Sequence, residues 1–357
     1  MTKNRKIFIH IGQHKTGSTS IQQTLCNNGH ILKKYGLSYY RTNPNGKLNA
    51  HVSAWIKVGD RKSLQYCDDD AIIIQPEKLA QNASKLIGDI VISSEEFSWV
   101  SNKDQLLKFK LDLEKYFDHI IIITYIRRQD LQIVSHHQEE IKSNNPRLFP
   151  NGNIAIPKHE KHVDYYLDYN DRLSKWGDIF GDKNLRIRVF ETENLYKKDV
   201  VLDFFKLIGI EKGVLPLKSN ESWGFERSKV VYLMEKNKLN KYIKKIIYQN
   251  LNNKGKLLPS KAEAEKTYLY YKNSNIKLNS RFLINAKNPS IFNENFFLYP
   301  KERKDVWTEE SANKAIYNII DAINSISPGK FLYIALKTKL FSVKRKIKKY
   351  RRAMSIT

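Results

Sequence analysis

The chain has 357 residues, of which 41% are apolar and 28% charged, so it can fold into one large α/β domain or two small ones. This composition excludes a disordered chain, a collagen and a disulfide-rich scaffold. Lysine and arginine number 62 against 37 acidic residues, and the resulting net charge of +25 predicts an anionic partner: a nucleotide, an acidic glycan, a nucleic acid or an anionic membrane.

The compartment is indicated by two further features. The only cysteines are Cys26 and Cys67, too few for a disulfide framework or a metal cluster, which favours a reducing compartment. The apolar run behind the basic N-terminus extends only from Ile7 to Ile11, and no stretch reaches the length of a membrane span. We therefore expect a soluble, cytoplasmic protein.

The predicted elements alternate between strands and helices. Short apolar runs rich in β-branched residues predict buried strands, and patterns of helical period lie between them. In chain order we expect a strand at 6–11, a helix at 18–35, a strand at 37–40, a strand at 90–93, a helix at 105–117, a strand at 119–125, a helix at 130–142, a helix at 163–180 and a strand at 185–190. This alternation predicts an α/β fold of three layers with a central parallel sheet.

The C-terminal part of the sequence differs from the rest. Helical patterns at 229–250 and 309–326, without an obvious strand, predict a helical extension at 216–328 that follows a core at 1–215. The tail at 329–357 holds ten lysines or arginines and no acidic residue. Such a tail is usually a solvated charge run, but it can also bind an acidic glycan or an anionic membrane surface.

The first strand runs into a loop rich in glycine and hydroxyl groups, Gly12-Gln13-His14-Lys15-Thr16-Gly17-Ser18-Thr19-Ser20, and then into a helix. Such a junction binds anions, because backbone N–H groups and the helix dipole point at the ligand. The spacing is close to that of a P-loop, but a P-loop has its lysine directly after the second glycine, where this chain has Ser18. From the loop alone, a plain helix start capped by Ser18 and a kinase-type nucleotide site both stay open.

A second pair of residues follows the strand at 119–125. Arg127 stands at the strand end, and Ser135 follows eight residues later on a helix whose predicted N-cap is Asp130. A guanidinium gives paired donors to a phosphate, and a serine two turns into the helix can face the strand end, where open α/β sheets bind ligands. Taken alone, a surface arginine and a helix-face serine explain the pair better, but jointly with the loop, which also follows a strand, that explanation becomes unlikely.

The segment from His10 to Gln22 resembles the 5′-phosphosulfate loop of sulfotransferases that use 3′-phosphoadenosine 5′-phosphosulfate (PAPS). It is most similar to the microbial and carbohydrate-modifying branch, which reads K-T-G-[ST]-T-S. The resemblance covers residues 5–215, and the C-terminal nucleotide motif of the cytosolic small-molecule branch is not recognisable. It implies that the 3′-phosphate is bound by Arg127 and Ser135, and that the 5′-phosphosulfate is held by Lys15, Thr16, Gly17, Ser18, Thr19 and Ser20, with Lys15 at the leaving phosphate.

Transfer of a sulfuryl group to a hydroxyl or amine needs a general base near the acceptor and no metal, if lysine and arginine neutralise the phosphosulfate. Our candidate base is Glu95, which follows the strand at 90–93, as in the carbohydrate enzymes that this segment resembles. The neighbouring Glu96 stands three residues after Ser93, the spacing of a capping box, and Glu95 can equally complement a helix dipole. The reserve candidates for the base are His14, His51, His136 and His137.

The resemblance and the charge favour a carbohydrate acceptor, such as a surface polysaccharide or a glycolipid glycan. Two other functions stay open: a P-loop kinase acting on a small molecule, and a non-catalytic protein that binds an anionic glycan or nucleic acid. The misplaced lysine argues against the kinase, and the absence of standard nucleic-acid motifs makes a nucleic-acid partner the weaker choice. The basic tail adds the hypothesis of peripheral contact with the inner membrane face.

Overall fold

The structure is a computed structural model that describes residues 4–41, 55–56, 73–74, 76–143, 154–217, 223–237, 239–329, 332–333 and 336. His51, Cys67 and most of the basic tail lie outside these ranges, so the expectations attached to them stay predictions. No helix in the described ranges is both long and apolar enough to cross a membrane.

A parallel sheet forms the centre of the fold, as predicted. The strands in chain order are β1 Lys6–His10, β2 Leu37–Tyr39, β3 Trp55–Ile56, β4 Ile73–Ile74, β5 Asp89–Ser93, β6 His119–Ile126 and β7 Leu185–Val189. In the described part of the chain, five of them pair in the order β2-β5-β1-β6-β7, and every neighbouring pair is parallel. The two short strands β3 and β4 form a separate parallel pair. The sheet confirms the predicted α/β fold class.

The helices follow the strands along the chain. Their bounds are α1 Ser18–Asn27, α2 Gly29–Lys34, α3 Pro76–Ser84, α4 Lys103–Glu114, α5 Gln129–Ser143, α6 Asp164–Leu167, α7 Tyr169–Phe180, α8 Val200–Leu207, α9 Phe225–Lys236, α10 Lys241–Asn250, α11 Lys261–Phe282 and α12 Glu309–Asn324. Single 3₁₀ turns occupy Glu95–Trp99, Lys161–Val163, Asp182–Asn184, Thr192–Asn194 and Tyr196–Lys198.

Both faces of the sheet are buried under helices. On one face, Phe8 and Ile123 share an apolar cluster with Leu25 of α1 and Phe204 of α8. Side chains alternate along a strand, so the equally buried Ile9 points to the other face, where α4 and α7 lie beside β6. Because the strands are covered on both sides, their sequences are continuous apolar runs.

Three predicted helices are each divided in two. The helix expected at 18–35 breaks at Asn28, whose side-chain amide donates to the carbonyl of Thr24 at 2.8 Å. The helix expected at 163–180 breaks at Asp168, which caps α7 by accepting the N–H of Asp171. The pattern at 229–250 separates into α9 and α10, with Asn240 as the cap of α10. Asn and Asp interrupt helices because their side chains bond the backbone locally, and apolar periodicity does not reveal this.

The described chain divides into two compact units. The first comprises Met1–His136, Lys158–Glu221 and Lys261–Leu298, and the second comprises His137–Pro157, Ser222–Ser260 and Tyr299–Thr357. The first unit contains the five-stranded sheet and α11, a 22-residue helix that the sequence did not predict. The core of the second unit is an apolar cluster of α9, α10 and α12, which includes Val230, Met234, Ile246, Ile247 and Ala322. The predicted boundaries at residues 215 and 328 stay predictions.

Candidate active site

Three neighbouring strands end beside one another at one edge of the sheet. The central strand of the three is β1, with β5 on one side and β6 on the other. Pairing continues to the strand ends, since the N–H of Ser94 donates to the carbonyl of His10 at 3.1 Å and the N–H of Ile11 donates to that of Ile123 at 2.9 Å. Glu95, the glycine-rich loop and Arg127 therefore all leave the sheet at its carboxyl edge, where open α/β sheets bind ligands.

The loop between β1 and α1 is tightly curled. Gly12, Lys15 and Gly17 have φ angles of 54°, 65° and 85°, in the left-handed region, which is unusual for a lysine. The hydroxyls of Thr16 and Ser18 donate inward to the carbonyl of Gln13, at 2.6 and 3.2 Å. These inward bonds hold the curl together, and the ligand contacts that the family resemblance implies for Thr16 and Ser18 stay predictions.

The start of α1 is suited to an anion. Its N-cap is Gly17, which has no side chain to cap the helix, and no acidic residue stands in the first turn. The first N–H groups of a helix have no partner within the helix and carry the positive end of its dipole. Thr19 and Ser20 in this turn are half-buried, as is Lys15. Amides, hydroxyls and a cation form a suitable set for a phosphate or phosphosulfate group.

Arg127 reaches the loop from the neighbouring strand. Its guanidinium donates from Nη1 to the carbonyl oxygen of Lys15 at 3.3 Å and lies 5.7 Å above the centre of the Phe190 ring. The hydroxyl of Tyr169 donates to the carbonyl of Arg127 at 2.7 Å, which fixes the backbone at this strand end. The structure thus brings Arg127 and the loop around Lys15 together, although 112 residues separate them in the sequence.

The helix α5 carries Ser135 beside the same loop. Gln132, buried on this helix, donates from Nε2 to the carbonyl of His14 at 2.8 Å. Residues three apart share a helix face, so the half-buried Ser135 lies on the face that meets the loop. The ring of His136 lies 5.0 Å from that of His14, which places the next residue of α5 there as well.

The helix α5 starts differently from the prediction. Its first residue is Gln129, so Asp130 is inside the first turn and is not the N-cap. The Asp130 carboxylate accepts two bonds from Arg128, at 2.7 and 3.0 Å, and both side chains are buried. The Arg128 guanidinium also lies 4.0 Å above the ring of Phe296. Arg128 is therefore a structural arginine, while its neighbour Arg127 faces the loop.

Glu95 begins a 3₁₀ turn directly after β5. The N-cap of this turn is Ser94, which accepts the N–H of Glu96 at 3.4 Å, so the turn starts one residue later than the spacing of Ser93 and Glu96 indicates. The Glu95 carboxylate accepts a bond of 2.8 Å from Nε2 of Gln22, and its backbone carbonyl accepts the Ser98 hydroxyl at 2.6 Å. The half-buried carboxylate is therefore held against α1, the helix that follows the loop.

Two of the reserve histidines, His14 and His136, lie beside one another. Nδ1 of His14 and the hydroxyl of Tyr166 lie 2.8 Å apart, and the same hydroxyl accepts the N–H of His14 at 2.9 Å. His136 and His137 are both buried. His10, at the end of β1, is also buried, with Nδ1 2.7 Å from the Ser93 hydroxyl, and burial lowers its pKa to about 3, so it is neutral.

Several residues that hold the site together were not predicted. Gln132 and Tyr166 fix the backbone of the loop at His14, Phe190 lies under Arg127, and Gln22 bonds Glu95. Gln22 follows the loop by about one helical turn and so lies on the same helix face as Ser18, a position that the sequence shows. The other three lie far from the loop in the sequence, where no local pattern points to them.

We expect Gly12→Ala to lower both stability and activity. A Cβ at Gly12 would lie 3.2 Å from both Cα and Cγ of Glu95, at a φ of 54° that costs an L-residue about 1–2 kcal/mol. Urea unfolding should show this loss. The control is Gly29→Ala at the start of α2, where an added Cβ meets nothing within 4 Å. Equal stability of the two variants would contradict the close approach of the loop to Glu95.

Comparisons with known proteins give weak similarities. No protein-family model matches the chain. A stretch of 122 residues is 30% identical to an uncharacterized protein of Archaeoglobus fulgidus, and this match covers 34% of the chain and only 30% of that protein.

Two sulfotransferase structures align with the chain. The crystal structure of a sulfotransferase from Alicyclobacillus acidocaldarius aligns with a TM-score of 0.42 and 10% identity, covering 80% of this chain and 98% of the other. Mouse sulfotransferase SULT7A1 complexed with PAP aligns with a TM-score of 0.27 and 14% identity, covering 98% and 90%. Both alignments span most of this chain at low sequence identity.

Proposed function

We propose that the chain is a sulfotransferase that uses PAPS as its sulfuryl donor. The observation that carries this proposal is the bond from Arg127 to the carbonyl of Lys15, since it puts a second cation beside a loop built for one anion. A nucleotide with a single phosphate chain needs only the loop, whereas PAPS has a further phosphate on its 3′-oxygen. The loop sequence K-T-G-S-T-S supports the same donor.

The donor supplies an activated sulfuryl group on an adenosine 3′,5′-bisphosphate leaving group. In this proposal, the amides at the start of α1 and the Lys15 ammonium bind the 5′-phosphosulfate and stabilise charge on the leaving phosphate. Arg127 and Ser135 bind the 3′-phosphate and so select PAPS over ATP. Thr16 and Ser18 keep the loop curled, as their bonds to Gln13 indicate.

Glu95 is the proposed general base. It leaves β5, the strand next to β1, and its carboxylate is held by Gln22 of the helix that starts at the loop. A carboxylate beside the donor loop can take the proton from an acceptor hydroxyl or amine. The buried His136 and His137 are less accessible to an acceptor, and a bond between His14 and Tyr166 already engages the loop histidine.

The acceptor that we propose is a carbohydrate. Support comes from the resemblance to the carbohydrate-modifying branch and from the net charge of +25, which favours an anionic glycan or glycolipid. The same charge, concentrated in the tail at 329–357, supports a peripheral contact with an anionic membrane surface on the cytoplasmic side.

Ligand-induced thermal stabilisation separates the three candidate functions. Adenosine 3′,5′-bisphosphate at about a hundred times its Kd should stabilise the protein by roughly 2.7 kcal/mol, which raises the Tm by several degrees. Stabilisation by ADP with magnesium alone would support a kinase instead, and no shift with either nucleotide would support a non-catalytic binder. Transfer of labelled sulfate from PAPS to a panel of glycans then tests the reaction and the acceptor class directly.

A further inference from the structure

We infer that Gln22 is a positioning residue that holds the Glu95 carboxylate at a fixed position relative to the donor loop. This inference rests on the proposed function of Glu95 as the base. Gln22 is 1% exposed, and its amide nitrogen lies 2.8 Å from Oε2 of Glu95 and 3.5 Å from the carbonyl of Ser93. The buried Gln22 amide therefore contacts both the Glu95 carboxylate and Ser93, the last residue of β5.

The helix α1 connects the Gln22 contact to the donor loop. It begins at Ser18, directly after the curled loop, and Gln22 follows one turn later on the same rigid element. Ile21 and Leu25, on either side of Gln22, are fully buried against the sheet, so α1 cannot rotate without opening that core. The position of the Gln22 amide is thus fixed by the same helix that presents its first N–H groups to the phosphosulfate.

The backbone of Glu95 is held from other directions. The loop meets it at Gly12, where an added Cβ would lie only 3.2 Å from Cα of Glu95, and the Ser98 hydroxyl donates to the Glu95 carbonyl at 2.6 Å. With the backbone fixed, the Gln22 amide selects the direction of the carboxylate. The distance between the Glu95 carboxylate and the donor loop is then fixed. A general base requires such a fixed position for rapid proton transfer.

The bond also affects the charge of the base. An N–H donor stabilises the ionised form of a carboxylate and lowers its pKa. The charged or titratable groups on the elements around Glu95 include His14 and Lys15 in the loop, Glu96 in the same turn, and Arg172 of α7, which donates to the carbonyl of Ser98 at 3.2 Å. The helix α1 carries no acidic or basic residue, and its side-chain contact with the carboxylate is made by the neutral Gln22 amide.

The test replaces Gln22 by methionine, which has a similar length and no N–H donor. The acid limb of the pH profile of kcat/KM should shift to higher pH by about one unit. The reason is that loss of the N–H donor raises the pKa of Glu95, and a base acts only when it is deprotonated. On the plateau, kcat should fall by roughly tenfold to a hundredfold while the KM for PAPS stays unchanged. The control is Gln23→Met, the adjacent and less buried glutamine of α1.

A measurement independent of turnover completes the test. Titration of carbon-13-labelled glutamate carboxyl groups by NMR, with Glu95→Gln to assign the resonance, gives the pKa of Glu95 in the wild type and in Gln22→Met. If Gln22→Met is poorly folded, Gln22→Asn keeps the amide and shortens its reach, and it should raise the same pKa.

The outcomes distinguish the two proposals. A Glu95 pKa that is the same in all Gln22 variants, or a pH profile equal to that of Gln23→Met, overturns the inference on Gln22. Absence of sulfate transfer by the wild type overturns the proposed function, and the NMR titration still decides whether Gln22 controls the carboxylate.

Discussion

Replacing Lys15 with alanine is expected to lower kcat for sulfate transfer by about a hundredfold to a thousandfold, the usual loss when one group that stabilises transition-state charge is removed. Lys15 is in the curled loop, beside the start of α1. In the proposed reaction, charge develops there on the leaving phosphate. Binding of adenosine 3′,5′-bisphosphate should weaken much less, because the helix amides and Arg127 are retained. Single-turnover kinetics with PAPS and calorimetry with the bisphosphate measure the two quantities separately.

The matched control for this prediction is Lys34→Ala. Lys34 is an exposed lysine in the last turn of α2, and its loss lowers the net charge by the same amount. It should leave kcat within twofold of the wild type, since an exposed charge remote from the site is screened by solvent and salt. Equal effects of the two substitutions would show that Lys15 acts only through the overall charge of the protein.

Replacing Arg127 with alanine is expected to remove the preference for a nucleotide with a 3′-phosphate. A charge-assisted bond of this kind contributes about 2 kcal/mol, so the Kd for adenosine 3′,5′-bisphosphate should rise roughly thirtyfold. The Kd for adenosine 5′-phosphate, which has no 3′-phosphate, should change by less than threefold. Isothermal calorimetry with both nucleotides gives this ratio without any need for an acceptor.

Two variants make the Arg127 result specific. Arg186→Ala removes an exposed arginine of β7 and should leave both nucleotide affinities unchanged. Arg127→Lys keeps the charge and loses the paired donors, so it should recover only part of the selectivity. If Arg127→Ala weakens both nucleotides equally, the guanidinium supports the loop through the carbonyl of Lys15 and does not read the 3′-phosphate.

The fold was predictable because its signals are local. The strands are continuous apolar runs between turn residues, and β1, β5, β6 and β7 appear close to their expected positions. The interruptions at Asn28 and Asp168 were not predicted, because they depend on side-chain bonds that override an unbroken apolar period. The helix α11 was missed because its buried tyrosines and asparagines, such as Tyr268 and Asn275, do not form a simple apolar stripe.

The candidate site was predictable only in part. The loop and Arg127 could be identified because each follows a strand, and ends of adjacent parallel strands meet at one edge. Their contact, and the inward bonds of Thr16 and Ser18, depend on strand order and on the backbone curl, neither of which a sequence pattern encodes. The supporting residues Tyr166 and Phe190 come from distant segments, so only tertiary structure brings them to the loop.

The central place of β1 has an evolutionary consequence. Adjacent parallel strands are ~4.8 Å apart, so the ends of β5 and β6 are separated by roughly 10 Å across β1. If the proposed function is right, residues around Glu95 can therefore vary toward new acceptors while those around Arg127 stay unchanged. In that case, related chains can change their acceptor and keep the same sulfuryl donor.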